Sequence, residues 1–139
     1  MEEIQEAIDA MESEGNKDYI LLRCSAEYPA NFEHLNLSLI PDMAKKFNCP
    51  VGLSDHSFGS IASIVGVTLG ACIVEKHMCI SREIKAADTG FSLNFTEFTQ
   101  LVKDIRDTEK LIGKPLYDGI VKGNHRVRSL YVVKDIKKV

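Results

Sequence analysis

Three short apolar runs alternate with segments of helical periodicity, and this alternation constrains the fold more than any other feature of the sequence. The runs are YILLRC at 19–24, PVGL at 50–53 and CIVEKH at 72–77. Strands that alternate with helices pair in parallel through right-handed crossover connections. The sequence therefore predicts an α/β protein with a parallel sheet, either an open doubly wound sheet or part of a (β/α)8 barrel.

Apolar residues recur every three or four positions in the segments beside these runs, as they do in amphipathic helices. The segments are residues 2–14, residues 34–47, residues 61–71 and the stretch that follows Asn94. Gly15 closes the first helix, whereas Pro41 interrupts the second at a position that suits only a first turn. Residues 61–71 are apolar almost all round, which predicts a helix that is buried or packed on two sides. Asn94 with Glu97 resembles a capping box.

The length of the chain limits how much of a barrel it can form. A whole barrel needs at least about 200 residues, and the chain has 139. Residues 1–113 hold about three βα units, which would make roughly half of a barrel. Residues 114–128 are basic and rich in turn residues, which is typical of a linker. Residues 129–139 then alternate like a strand.

Charge and composition narrow the classes of partner. The chain carries 17 basic and 20 acidic residues, for a net charge of −3, which argues against nucleic acid or an anionic membrane as a partner. The acidic, amphipathic N-terminus is not a signal peptide, and no stretch reaches the ~18 apolar residues of a membrane span. The four cysteines show no CxxC spacing, so reduced thiols and a cytoplasmic location are expected, with Cys24 and Cys72 buried.

Polar residues follow the second and third apolar runs at the point where each ends. The second run continues into Ser54, Asp55 and His56, and the third ends in Glu75, Lys76 and His77. In parallel α/β proteins the loops after these strand ends line the active site. Adjacent strands lie ~4.8 Å apart, so the two histidines can reach one divalent ion. The alternative is that each histidine is an ordinary hydrogen-bonded polar residue.

Four stretches resemble the sialic acid synthase family of bacteria in their order and spacing. They are RCSAEYP, PVGLSDHS, ACIVEKHM and ADTGFSL, and the resemblance runs from Met1 to Val139. The AD..FSL form is closer to the pseudaminic acid synthase branch. Members of the family are (β/α)8 barrels followed by a small antifreeze-like (SAF) domain. The resemblance implies that residues 1–113 are the C-terminal half of the barrel and that residues 129–139 are the truncated start of the SAF domain.

The resemblance also implies an activity and a site. These enzymes are transferases that condense phosphoenolpyruvate with an N-acetylated amino sugar, forming a C–C bond, releasing phosphate and giving a nine-carbon 2-keto acid. His56 and His77 would hold a divalent metal, Mn²⁺, that polarises the sugar aldehyde. Ser54 would contact phosphoenolpyruvate, Tyr28 would lie between the two substrates, and Asp88 would hydrogen-bond sugar hydroxyls. Tyr28 and Asp88 are thus the catalytic candidates.

Several expectations qualify this assignment. Family members carry an asparagine two residues before the tyrosine, but this chain has Ala26, so Cys24 or Ser25 would have to contact the phosphoenolpyruvate carboxylate. Asp55 or Glu75 is expected to orient the imidazoles. The chain is expected to be a fragment that forms a homodimer through its uncovered strand edges and is inactive alone. The alternatives are a non-catalytic half-barrel binding or assembly module and a metal-dependent hydrolase, although the HxH pair or bridging carboxylate of a hydrolase is absent.

Overall fold

The three apolar runs form one parallel sheet, as their alternation with helices predicts. A computed structural model describes residues 2–115, 131 and 133–137. In chain order the elements are α1 (Glu2–Ser13), β1 (Leu21–Cys24), α2 (Phe32–Leu35), α3 (Leu39–Phe47), β2 (Val51–Asp55), α4 (Ile61–Thr68), β3 (Val74–Lys76) and α5 (Phe95–Ile112). The strand order is β1-β2-β3. Cys24 is level with Ser54, and Ser54 with Glu75, so the three strands end at one edge of the sheet.

Helices cover one face of the sheet, which we call the helix face. Val51 and Leu53 of β2 are buried there with Ile40 and Met43 of α3. Gly66 lets α4 approach closely, because a Cβ atom at this position would lie 2.9 Å from Leu53 Cδ2. Successive side chains of a strand point to opposite faces, so the next residues along β2 turn to the other face, which we call the site face.

The predicted helix over 34–47 is wrong in its continuity, because the structure contains two helices there. Asn36 adopts a left-handed conformation with φ 43° and ends α2. Asparagine is one of the few residues that tolerate this conformation. The second helix, α3, begins only at Leu39. Pro41 therefore lies in its first turn, where the missing N–H costs no hydrogen bond.

The remaining helix predictions agree with the structure. The first helix ends at Ser13, just before Gly15 with φ +83°. The capping box of α5 is confirmed, because Asn94 and Glu97 each accept a backbone N–H from the other. The prediction of a helix that is buried or packed on two sides is confirmed in its second form: α4 contacts the sheet and α5, while Ile61 on its remaining surface is 64% exposed.

The expected burial of two cysteines is also wrong. Cys24 and Cys72 are both exposed, although all four cysteines are free thiols as expected. Cys24 is the last residue of β1 and alternates with Arg23, whose guanidinium bonds the carbonyl oxygens of Leu35 and His34 on the helix side. Cys24 consequently points to the site face, which no helix covers in the described residues.

The predictions for the end of the chain fall mostly outside the described residues. The linker at 114–128 has only residues 114 and 115 described, and both are exposed. Within 129–139, residues 131 and 133–137 are described and none lies in a strand. The SAF start therefore stays a prediction, as does the homodimer that would cover the edges of β1 and β3. Among the described helices, none is long and apolar enough to cross a membrane.

Gly52 is required by the close approach of the chain segment before β3. A Cβ atom at Gly52 would clash with Ile73 Cγ2 and would lie 2.7 Å from the Ile73 carbonyl oxygen. The carbonyl belongs to the backbone that bonds Leu53 N at 2.9 Å, so it cannot move away cheaply. We expect Gly52→Ala to lower the free energy of unfolding by about 1–3 kcal/mol, measured by urea denaturation. An equally stable variant would contradict this packing, and Gly90→Ala, which meets no atom within 4 Å, is the control.

Candidate functional site

The alternation of side chains along β2 and β3 sorts the strand-end residues onto two faces. Ser54 and His56 point to the site face, together with Glu75, which contacts Ser54. Asp55 points to the helix face, where it bonds Ser63 of α4. Residues that are adjacent in the sequence motif therefore serve different parts of the molecule.

A buried charge network occupies the helix face directly behind the site. The Asp55 carboxylate lies 3.0 Å from Lys76 Nζ, and both side chains are almost completely buried. It also accepts hydrogen bonds from the Ser57 N–H and hydroxyl, at 2.9 and 2.7 Å, and from the Ser63 hydroxyl at 2.6 Å. Burial alone would raise the pKa of Asp55, but these hydrogen bonds and the Lys76 ammonium lower it below its usual value.

The same network ties together the backbone on either side of the two histidines. Lys76 Nζ also donates to the carbonyl oxygen of Ser57 at 2.6 Å. Lys76 precedes His77, and Ser57 follows His56. The buried pair thus holds the ends of β2 and β3 in register at the point where their histidines emerge.

The His56 ring is held in one orientation by the loop after β1. Its Nδ1 lies 2.8 Å from the carbonyl oxygen of Ser25. A carbonyl can only accept, so Nδ1 carries the proton and Nε2 has a free lone pair in the neutral ring. The Nε2 atom faces Ser54 Oγ at 3.4 Å, while Ser54 donates its proton to Glu75 Oε1 at 2.6 Å.

His77 lies beside His56 with its ring nearly perpendicular. The two ring centroids are 5.1 Å apart, with an interplanar angle of 77°. His77 Nδ1 faces Asp88 Oδ2 at 3.7 Å, which exceeds hydrogen-bond distance. In both histidines, therefore, Nδ1 faces a protein oxygen, and Nε2 is the nitrogen that a ligand can use.

Two aromatic rings pack around the histidines. Tyr28 stacks on His56 with 4.1 Å between centroids and meets His77 edge-on at 5.8 Å. Phe91 packs against His77 at 5.0 Å and against Tyr28 at 6.1 Å. Tyr28 is 54% exposed whereas Phe91 is 5% exposed, so Phe91 forms the base of the cluster and Tyr28 lies at its opening.

The loop between β3 and α5 returns to the site because its two ends are bonded together. Leu93 N donates to the His77 carbonyl, and Cys79 N donates to the Leu93 carbonyl, each at 2.9 Å. The Ser92 hydroxyl bonds the carbonyl oxygen of Asp88 at 2.7 Å. These bonds bring Asp88 and Phe91 next to His77, although they lie 11 and 14 positions further along the chain.

A groove of about 500 Å³ opens beside His77 within this loop. Asp88 contributes a carboxylate to its lining, while Ile80, Ile84 and the neighbouring alanines contribute apolar surface. Ser81, Thr89 and Ser92 also line it, and a groove that combines a carboxylate and hydroxyl groups with apolar surface suits a small ligand that has both hydroxyl and methyl groups. It adjoins the histidine pair, so a ligand could contact both.

The separation of the two histidine rings is compatible with a shared metal ion. An imidazole nitrogen binds a transition metal at about 2.1 Å, which places the ring centroid roughly 3.2 Å from the ion. Two such ligands at a right angle or somewhat wider have centroids on the order of 4.5–5.5 Å apart, and the observed value is 5.1 Å. The part of the chain that the structure describes holds no group of three or more His, Cys, Asp or Glu that could bind a metal. Two imidazoles would leave positions for water or substrate.

The structure brings all five predicted site residues together. They are Tyr28, Ser54, His56, His77 and Asp88. The expectation that Asp55 orients an imidazole is wrong, because Asp55 faces α4 and the Ser25 carbonyl orients His56 instead. Phe91 was missed, although its place in the AD..FSL stretch is a signal that could have indicated it.

The comparisons with known proteins agree with one another. The model of the NeuB family matches residues 1–117. Pseudaminic acid synthase of Campylobacter jejuni is 40% identical over 140 residues, which cover 99% of this chain and 41% of that protein. N,N'-diacetyllegionaminic acid synthase of Legionella pneumophila is 36% identical over 117 residues, which cover 81% of this chain and 33% of that protein. The chain thus spans about two fifths or less of these curated relatives.

Two solved structures share the fold. Spore coat polysaccharide biosynthesis protein spsE from Bacillus subtilis matches 85% of this chain and 35% of its own, with a TM-score of 0.77 and 37% identity. The match to N-acetylneuraminic acid (sialic acid) synthetase from Leptospira borgpetersenii covers 86% of this chain and 42% of that protein, with a TM-score of 0.79 and 31% identity. Together with the parallel three-stranded sheet, these similarities confirm the prediction of an α/β chain that forms part of a (β/α)8 barrel.

Proposed function

The chain belongs to the NeuB family, and from this premise we propose that it carries the metal-binding and sugar-binding side of a sugar acid synthase active site. The proposed reaction condenses phosphoenolpyruvate with an N-acetylated amino sugar in the cytoplasm. Carbon C3 of phosphoenolpyruvate bonds to the aldehyde carbon, water adds at C2, and phosphate leaves with its C–O bond broken. The relatives named as pseudaminic and legionaminic acid synthases support a nine-carbon 2-keto acid as the product.

The observation that carries this proposal is the convergence of two histidines whose Nδ1 atoms both face protein oxygens, which leaves Nε2 as the nitrogen for a ligand. His56 is held through Nδ1 by the Ser25 carbonyl, and His77 lies next to it at right angles. His56 and His77 would hold a divalent metal, Mn²⁺ by analogy with the family. When bound, this metal supplies Lewis-acid polarisation of the sugar carbonyl.

Three other residues would position the substrates around the histidines. Ser54 lies next to His56 on the site face and would contact phosphoenolpyruvate. Tyr28 stacks on His56 at the opening of the aromatic cluster, where its ring would lie between the two substrates. Cys24 lies 3.9 Å from His56 Nδ1 and is exposed, so it could meet the phosphoenolpyruvate carboxylate that the asparagine contacts in other members.

Asp88 would bind the hydroxyl groups of the sugar. Its carboxylate is half-exposed and lies too far from His77 for a hydrogen bond, so it can accept protons from a ligand. The apolar groove that begins at Asp88 would take the methyl groups of acylamino substituents. The relatives that make diacylated nine-carbon acids are consistent with a sugar of this kind.

The proposed function can be tested in a chimera, because the chain spans 41% of the Campylobacter jejuni relative. In the chimera this chain replaces the matching segment of that synthase. We expect phosphate release from phosphoenolpyruvate that requires both an N-acetylated amino sugar and Mn²⁺. A folded chimera that binds Mn²⁺ without releasing phosphate would support a non-catalytic binding module instead.

Metal binding by the histidine pair is a separate prediction. We expect His56→Ala and His77→Ala each to weaken Mn²⁺ binding about a hundredfold or more, since loss of a residue that merely orients a ligand already costs about 10–100-fold. Isothermal titration calorimetry on the chain would measure the affinities. His34→Ala is the control, because His34 lies at the surface and bonds Glu27 rather than the pair. Equal affinity in the wild type and the double variant would rule out the joint site.

A further inference from the structure

We propose that Glu75 is a positioning residue that keeps the Ser54 hydroxyl proton away from His56, so that His56 Nε2 remains available to a metal. The inference deepens the proposed function and rests on it for the identity of the ligand. Among the described residues, the Glu75 side chain makes no hydrogen bond to either histidine ring. It bonds Ser54 instead.

The number of protons at this point of the site face decides which of its polar atoms are hydrogen-bonded. Ser54 has one hydroxyl proton and two polar neighbours, Glu75 Oε1 at 2.6 Å and His56 Nε2 at 3.4 Å. The shorter contact has the length of a charge-assisted O–H···O bond, so the proton lies towards Glu75. In the neutral imidazole of His56 the single ring proton is on Nδ1, where it bonds the Ser25 carbonyl. No proton therefore lies between Ser54 Oγ and His56 Nε2.

Two lone pairs consequently face each other across 3.4 Å. The two lone pairs repel each other, and a cation that both atoms can approach removes the repulsion. Without Glu75, the Ser54 hydroxyl could rotate and donate its proton to Nε2. A metal would then have to break that hydrogen bond before it could bind. Glu75 thus favours metal binding by giving the Ser54 proton a better acceptor.

Direct coordination by Glu75 is a different role, and the geometry does not support it. Within the described ranges, neither Glu75 nor any other carboxylate or thiol joins His56 and His77 in a group of three that could hold an ion. Glu75 is exposed and makes its bond to Ser54 on the adjacent strand. Its effect on His56 must therefore pass through Ser54.

The first test observes the proton arrangement in the metal-free chain. Long-range ¹H–¹⁵N NMR distinguishes a bare imidazole nitrogen from one that accepts a hydrogen bond. We expect the wild type to show Nδ1–H and a bare Nε2 at His56, and Glu75→Ala to show Nε2 accepting a bond. In Ser54→Ala/Glu75→Ala the Nε2 resonance should return to the bare position. An Nε2 resonance that Glu75→Ala leaves unchanged, or a doubly protonated His56 in the wild type at neutral pH, would overturn the proposal.

The second test measures Mn²⁺ affinity in the same variants by calorimetry. Glu75→Ala should weaken binding about tenfold, whereas in the Ser54→Ala background the same change should have almost no further effect. Glu75→Gln, whose amide oxygen still accepts the Ser54 proton, should restore most of the affinity. A loss that is equally large without Ser54, or the absence of rescue by Gln, would show that Glu75 acts through its charge and would refute the proposed route.

The two tests separate failure of this inference from failure of the proposed function. If the wild type does not bind Mn²⁺, the metal role is wrong, but the NMR experiment still decides whether Glu75 controls the Ser54 proton. If the wild type binds Mn²⁺ and the variants match it, only the role of Glu75 is refuted. Because Glu75 is exposed, its replacement should not unfold the chain, which far-ultraviolet circular dichroism can confirm.

Discussion

Replacing Lys76 by methionine is expected to lower the free energy of unfolding by about 3–5 kcal/mol. Methionine fills a similar volume but leaves the Asp55 carboxylate buried without the ammonium that lies 3.0 Å away. The variant also removes the bond from Lys76 Nζ to the Ser57 carbonyl, at 2.6 Å, which leaves a second acceptor unpaired. Urea denaturation followed by circular dichroism would measure the loss.

A matched control variant distinguishes the loss of a buried ion pair from the loss of an exposed one. Lys110 bonds Asp107 at 2.8 Å on the exposed surface of α5, so Lys110→Met should leave the free energy of unfolding almost unchanged. Ser63→Ala removes one of the buried donors to Asp55 and should cost about 1.5–3 kcal/mol, which gives an intermediate variant if Lys76→Met does not fold. Equal stabilities of Lys76→Met and Lys110→Met would contradict the buried pair.

The same network predicts how the difference in the free energy of unfolding between wild type and Lys76→Met depends on pH. In the wild type the pKa of Asp55 is lowered, so its contribution to stability is present above the ordinary aspartate pKa, about 3.9, and is lost as the pH falls through the folded value. Without Lys76, burial is opposed only by the serine hydrogen bonds, and the pKa of Asp55 should rise. The gap between wild type and Lys76→Met should therefore be largest near neutral pH and narrow as the pH falls from the raised pKa of Asp55 in the variant to its lowered pKa in the wild type. A gap that is constant with pH would exclude Asp55 as its cause.

The sheet and the convergence of the candidate site residues could be predicted from the sequence because both follow from periodicity. Apolar runs separated by helical segments allow only parallel strands, and parallel strands end at one edge. The pairing of Ser54 with Glu75 in register is the geometry that brings His56 and His77 together. The break at Asn36 was less visible, since the apolar pattern continues on both sides of it.

The details of the site depend on features that periodicity does not encode. Adjacent residues of one motif separate onto two faces, and only the register of β2 decides that His56 faces the site while Asp55 faces α4. The acceptor that orients His56 is a backbone carbonyl, that of Ser25, which any residue type could supply. Phe91 reaches the cluster because a loop folds back on itself, and the path of such a loop is set by tertiary contacts.

In the active chimera, His77→Ala is expected to lower kcat/KM by about a thousandfold or more, because Lewis-acid stabilisation of a transition state is worth several kcal/mol.

Asp88→Ala should act differently, since its carboxylate is free to accept hydroxyl protons from the sugar. We expect it to raise KM for the amino sugar about tenfold or more while KM for phosphoenolpyruvate and the affinity for Mn²⁺ stay near those of the unmodified chimera. Steady-state phosphate release with each substrate varied in turn would measure this.

The outcome for Asp88 distinguishes two roles for its position 3.7 Å from His77 Nδ1. If Asp88 orients His77, the Asp88→Ala variant loses Mn²⁺ affinity, and KM for the amino sugar changes only because the metal is lost. If Asp88 binds the sugar, excess Mn²⁺ does not restore KM for the amino sugar in the variant. Asp107→Ala, which changes an exposed carboxylate on α5, should alter neither quantity. Normal sugar kinetics in Asp88→Ala would remove Asp88 from the site, because no step assigned to it would then depend on its carboxylate.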